Sequence, residues 1–151
     1  VRRLVTRGEN AFEDHDTLDE AAFAEGVETG RFPVSWRAHG LGYALPAATL
    51  EAIEAGAVVI CNFSRGAIAA ARERFPAVRV VAISAPDAIL AARLIARGRE
   101  TEEGVAARLA REAVCAREID PDLTIVNDRP IEQSGGELVA YLKGLRTTAS
   151  A

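Results

Sequence analysis

The sequence predicts an α/β domain built around a mostly parallel sheet, and three observations predict it. Short apolar runs alternate with longer stretches at helical spacing, the order expected of strands joined by helices. Two of the runs, Ala57 to Cys61 and Val80 to Ile83, are continuous rather than alternating, as in strands covered by helices on both faces. Proline and glycine stand at the ends of the helical stretches, where they start and stop a helix. A chain of 151 residues, 49% of them hydrophobic, has the material for one domain with a real core.

Taken in order, strands are expected at Leu4 to Thr6, Ala57 to Cys61, Arg79 to Ile83 and Leu123 to Val126, the second and third in the sheet interior. Asp16 to Tyr43 reads as a small inserted lobe, about 16–45, with one helix, a short strand at Phe32 to Trp36 and a glycine-rich turn at His39 to Tyr43. Thr17-Leu18-Asp19-Glu20 has the form of a capping box before that helix, and Gly30 closes it. Pro46 opens a helix over Ala47 to Ala55 that ends at Gly56. Pro86 and Asp87 open another, on which Ile89, Leu90, Leu94 and Ile95 share a face before Gly98. Further helices are expected over Glu102 to Arg117 and Ile131 to Leu145, so that one domain spans 1–146 and 147–151 form a frayed tail.

The net charge of −4 argues against broad attraction to nucleic acid or to an acidic membrane. No apolar stretch approaches the roughly 20 residues of a spanning helix, and no signal-peptide pattern opens the chain, so a soluble, cytoplasmic protein is expected. Cys61 and Cys115 lack metal-ligand spacing and read as reduced structural thiols. Lys143 is the only lysine among 18 basic residues, so chemistry that demands a lysine has one candidate.

Three polar groups carry the candidate chemistry. Arg93 and Arg97 lie one helical turn apart, Arg99 follows Gly98, and Arg108 and Arg111 share a face of the next helix. Guanidinium groups in such a helix-loop-helix suit phosphate oxygens, although Glu100, Glu102, Glu103 and Glu112 would balance them on a merely solvated face. Thr6-Arg7, followed by Glu9 and by Glu13-Asp14-His15, stands just past a strand end, where open α/β sheets bind ligands. Asn62 and Arg65 occupy the same position after the second strand, while Ser35, Trp36, His39 and Tyr43 belong to the small lobe, where Trp36 or Tyr43 can equally be core.

In that order and spacing Thr6-Arg7, Glu-Asp-His, Ser35-Trp-Arg-Ala-His-Gly-Leu-Gly-Tyr43, Asn62-Phe-Ser-Arg65, Arg93-Leu-Ile-Ala-Arg-Gly-Arg-Glu100 and Ala107-Arg-Leu-Ala-Arg111 resemble the ribose 1,5-bisphosphate phosphokinases. These are guanylate-kinase-like enzymes of bacterial phosphonate breakdown. The resemblance runs from Arg3 to about Leu145 and implies a three-layer P-loop kinase-like fold with an acceptor lobe and an arginine-rich lid over about 97–108. It implies transfer of the ATP γ-phosphate to ribose 1,5-bisphosphate with magnesium (Mg2+). Arg93 would lie against adenine, Arg97, Arg99 and Arg108 would close on the phosphates, Arg111 being a weaker member, and Arg7, Glu13, His15, Tyr43, Asn62 and Arg65 would hold the acceptor. Small phosphorylated molecules are the expected partners, with neither nucleic acid nor membrane and with a homodimer allowed.

The family's Gly-x-x-x-x-Gly-Lys-[Ser/Thr] loop occurs nowhere in these 151 residues, and Lys143 lies too late in the chain to replace its lysine. The expectation is that the loop and its strand precede Val1, that the interval from Arg7 to Glu13 is short for the family, and that the chain as given is inactive. Guanylate kinase is the nearest enzyme alternative. Its usual Pro-Arg is lacking after Thr6-Arg7, and its Tyr-Gly-Thr is replaced here by Tyr43-Ala44-Leu45. A non-catalytic guanylate-kinase-like binding module is the alternative of another class.

Overall fold

The computed structural model describes residues 1–8, 14–96 and 119–148. The chain divides into two compact units, Val1–Val78 and Arg79–Ala151. The first holds strands β1 (Arg3–Val5), β2 (His15–Thr17), β3 (Ser35–Ala38) and β4 (Leu41–Ala44), with helices α1 (Glu20–Glu28), α2 (Ala48–Glu54) and α3 (Ile68–Arg74). The four strands form one sheet in the order β2-β1-β4-β3. β1 runs parallel to β2 and antiparallel to β4, and β3 is antiparallel to β4.

Short polar strands of this kind form because each closes a local hydrogen-bond account. β3 and β4 are joined by a two-residue turn in which His39 and Gly40 both have positive φ, 53° and 75°, as a type I′ hairpin turn requires. The expected glycine-rich turn at His39 to Tyr43 therefore shrinks to two residues, and its remainder is β4. β2, three polar or charged residues, carries no apolar signal. The Arg2 guanidinium holds it against the sheet, donating to the His15 carbonyl at 3.0 Å and pairing with Asp14 at 3.1 Å and Asp16 at 3.0 Å.

Register and pleat assign the side chains to two faces, because directly paired residues share a face and neighbours along a strand alternate. Leu4, Thr6, Asp16, Ser35, Arg37, Gly42 and Ala44 share one; Arg3, Val5, His15, Thr17, Trp36 and Tyr43 share the other. α1 covers the first. A Cβ on Gly42 would stand 2.9 Å from three atoms of the Phe23 ring, so only glycine lets this ring lie on the strand, and a Cβ on Gly26 would likewise collide with Phe32. The rings of Phe23 and Phe32 stack with centroids 6.1 Å apart.

α1 is capped by Asp19, whose carboxylate accepts from the Ala22 amide at 2.7 Å. The expected cap at Thr17 is thus displaced by two residues, since Thr17 is held in β2. Gly30 at φ 68° and Gly56 at φ 83° end α1 and α2 as expected. In each case the next residue donates back into the helix, Arg31 to Gly26 and Ala57 to Ala52, both at 2.9 Å. Val34, Leu45, Ala71 and Phe75 form a buried cluster, against which Trp36, Leu50, Ile53, Cys61, Phe63 and Val78 pack.

The expected interior strand Ala57 to Cys61 is a correction: among the described residues it belongs to no ladder, and Val58 and Ile60 are 47% and 54% exposed. An apolar run specifies extended backbone but not a neighbour to pair with, and pairing is what makes a strand. α3, preceded by a 3-10 turn at Arg65–Ala67, was not expected, because Ile68–Arg74 carries little apolar periodicity.

The second unit contains β5 (Val81–Ser84), α4 (Asp87–Ala96), β6 (Leu123–Val126) and α5 (Ile131–Thr148). β5 and β6 pair in parallel from Val81↔Leu123 to Ser84↔Val126. The Asp122 carboxylate sets that register, accepting from the Val80 amide at 2.7 Å and from Arg79 at 3.1 Å. Ile125 and Leu94 are buried, whereas Ile95, expected on the apolar face of α4, is 60% exposed, since the face that packs is centred on Leu94. The helix expected over Glu102 to Arg117, with Gly98 and Cys115, lies outside the described residues.

Candidate active site

Four polar groups converge on the sheet face opposite α1. His15 is 2% exposed, and its Nε2 lies 3.2 Å from the carbonyl oxygen of Arg7, which makes Nε2 the protonated nitrogen because a carbonyl can only accept. Thr17 Oγ1 donates to the same carbonyl at 3.1 Å. Two side chains of β2 therefore hold the backbone at the point where the chain leaves β1, and they fix the base of the half-buried Arg7 side chain.

Beside them lies an aromatic stack. Trp36 and Tyr43 are directly paired across β3 and β4, with ring centroids 5.5 Å apart and planes 7° from parallel. Phe63 stacks on Trp36 at 4.6 Å. The Arg3 guanidinium carbon lies 5.1 Å from the Tyr43 ring centroid and 6.0 Å from that of Trp36. Only 9% of Arg3 is exposed. Burial pushes its pKa down, with a smaller push from Arg7, while Cys61 and Tyr43 oppose the change; a guanidinium stays charged regardless. Burial also pushes the Cys61 thiol up, against the charge of Arg3, and so keeps the sulfur protonated near neutrality.

The structure thus brings together Arg7, His15 and Tyr43 among the residues singled out as acceptor ligands. Asn62, exposed, and Arg65, half-buried at the start of the 3-10 turn, bracket the stacked Phe63 in sequence. Ser35 sits on the opposite sheet face, and His39 is an exposed turn residue. Arg93 is half-buried on α4 in the second unit. Glu13, Arg97, Arg99, Arg108 and Arg111 lie outside the described residues. Arg3 was missed by the motif reading. Its signal is a charged residue two positions from Val5 in a strand, on the face that Val5 buries.

Among the described residues no three His, Cys, Asp or Glu side chains gather as a metal site, and no helix is long and apolar enough to cross a membrane.

No family model matches the chain. The fold is that of guanylate kinase: the guanylate kinase of Anaplasma phagocytophilum superposes with a TM-score of 0.72 over 96% of this chain and 74% of that one, at 20% identity. The sequence narrows the class further. The ribose 1,5-bisphosphate phosphokinase PhnN of Methylobacterium radiotolerans is 53% identical over 142 residues, 94% of this chain and 78% of that protein. The protein of the same name from Chelativorans is 42% identical over 151 residues, 99% of this chain and 71% of that protein. The chain belongs to the ribose 1,5-bisphosphate phosphokinase family.

Proposed function

We propose that the protein phosphorylates ribose 1,5-bisphosphate with ATP, as part of phosphonate breakdown. The observation that carries this reading is the 53% identity over 94% of the chain to a ribose 1,5-bisphosphate phosphokinase. An oxygen of the acceptor's 1-phosphate attacks the γ-phosphorus of ATP, the bond from that phosphorus to the β,γ-bridging oxygen breaks, and ADP leaves with the bond's electron pair. The products are phosphoribosyl pyrophosphate and ADP, and an already ionised phosphate needs no general base.

Such a transfer depends on positioning and charge neutralisation rather than on covalent chemistry. Arg7, His15 and Tyr43 at one sheet face, with Asn62 and Arg65, would hold the acceptor, and Glu13 would join them. Arg93 would lie on the nucleotide, with Arg97, Arg99 and Arg108 closing on the phosphates and Mg2+ balancing their charge. A soluble cytoplasmic enzyme acting on a small phosphorylated sugar, with a homodimer allowed, completes the reading.

The full-length protein, given ATP, magnesium and either ribose 1,5-bisphosphate or GMP, tests it. Phosphoribosyl pyrophosphate formed from the first, without GDP from the second, is the expected result. Turnover of GMP alone would assign a guanylate kinase, and acceptor binding without any transfer would assign a binding module.

A further inference from the structure

Arg3 is a largely buried guanidinium, 9% exposed, set against two aromatic rings. Its location is specific. It lies within 5.1 Å of the Tyr43 ring and 6.0 Å of the Trp36 ring, on the sheet face that also carries His15. Trp36 stacks on both Tyr43 and Phe63, so much of its ring is engaged within the protein. Tyr43 keeps only 8% of its surface exposed, with ring contacts already made to Trp36 and Arg3. A planar base finds little aromatic face to stack on here. A phosphorylated sugar needs only the phenol hydroxyl and nearby cations.

We propose that Arg3 is a positioning residue for the acceptor: its guanidinium holds the Tyr43 and Trp36 rings in one arrangement, so that Tyr43 meets the acceptor with its hydroxyl and not with its face. This rests on the functional reading above and deepens it. Arginine suits the task because its planar group lies against rings while remaining charged; lysine keeps the charge but loses the plane.

The test uses the full-length enzyme, with Trp36, the one tryptophan in these 151 residues, as a reporter. Arg3→Met raises the KM for ribose 1,5-bisphosphate by about tenfold, between the loss of an exposed and of a fully desolvated cation–π contact, and leaves the KM for ATP within about twofold. Arg3→Lys falls between the two. Titration with ribose 1,5-bisphosphate alone, followed by Trp36 fluorescence, shows the same weakening without any turnover. Should Arg3→Met fail to fold, Arg3→Lys is combined with Tyr43→Leu: if Arg3 acts through Tyr43, the lysine raises the acceptor KM in the wild-type background but not in the Tyr43→Leu background. Equal effects in both backgrounds, or an unchanged acceptor KM with only the melting temperature lowered, overturn the proposal while wild-type activity keeps the functional reading intact. A wild-type enzyme that neither binds nor phosphorylates ribose 1,5-bisphosphate overturns both.

Discussion

The two faces of the four-stranded sheet are built on different principles. On the face toward α1, contact is made by absence: Gly42 and Gly26 let the rings of Phe23 and Phe32 come closer than any side chain would allow. On the opposite face the protein buries a guanidinium, an imidazole and a phenol, and it spends hydrogen bonds and ring contacts to keep them there. The first face is explained by packing alone. The second also packs Trp36 against the buried cluster, and the charged and polar groups it buries beside that packing make it the face proposed for the acceptor. Substitutions that separate stability from acceptor recognition test the contrast.

Gly42→Ala has the largest expected effect. The new methyl meets a ring that is 97% buried and has nowhere to go, so stability falls by roughly 1–3 kcal/mol, nearer the upper figure, while the folded fraction keeps its acceptor KM. Thermal unfolding and a KM normalised to folded enzyme decide it. Gly26→Ala serves as a control, because a half-buried Phe32 can swing aside and alanine returns about 1 kcal/mol of helix propensity, which leaves a smaller net loss.

On the other face, His15→Ala removes one of the two side-chain donors to the Arg7 carbonyl and costs about 1–2 kcal/mol. Unlike Gly42→Ala, it also raises the acceptor KM, since the backbone beneath Arg7 is loosened. An unchanged KM would reduce His15 to a structural role. Asp19→Ala removes the cap of α1 and costs about 1 kcal/mol in urea unfolding, with no effect on acceptor binding.

The smallest effect is electrostatic. Glu20 is hydrogen-bonded to Arg37, which, followed by the charge of Arg37 and a hydrogen bond to Thr6, outweighs desolvation and holds its carboxyl below the ordinary range. A carboxyl whose pKa is depressed on folding stabilises the native state above its ordinary pKa, and that contribution disappears as the pH falls through the depressed value. The melting temperature of Glu20→Gln is therefore slightly below wild type at pH 7, and the gap closes toward pH 3. The pair is exposed and salt screens it, so the gap also narrows at high ionic strength.

Much of this protein follows from local chemistry. Pro86 before α4, Gly30 and Gly56 after α1 and α2, and the apolar run of β6 act through their own backbone preferences and neighbours a few residues away, so these elements were legible in the sequence. The motifs also singled out His15 and Tyr43, which the register puts on one sheet face, and the guanylate-kinase-like class emerged from their order. Pairing was not legible. β2 is a strand only because Arg2 and β1 hold it, and Ala57 to Cys61 looks like a strand yet has no ladder among the described residues. Nor could the sequence place Arg3 on Tyr43 and Trp36, because that contact joins residues some forty positions apart through the register of three strands. Hydrogen-bond partners and buried charges are long-range facts. The sequence by itself determined which segments turn, coil or extend, and the tertiary structure alone decided which side chains share a face of the sheet.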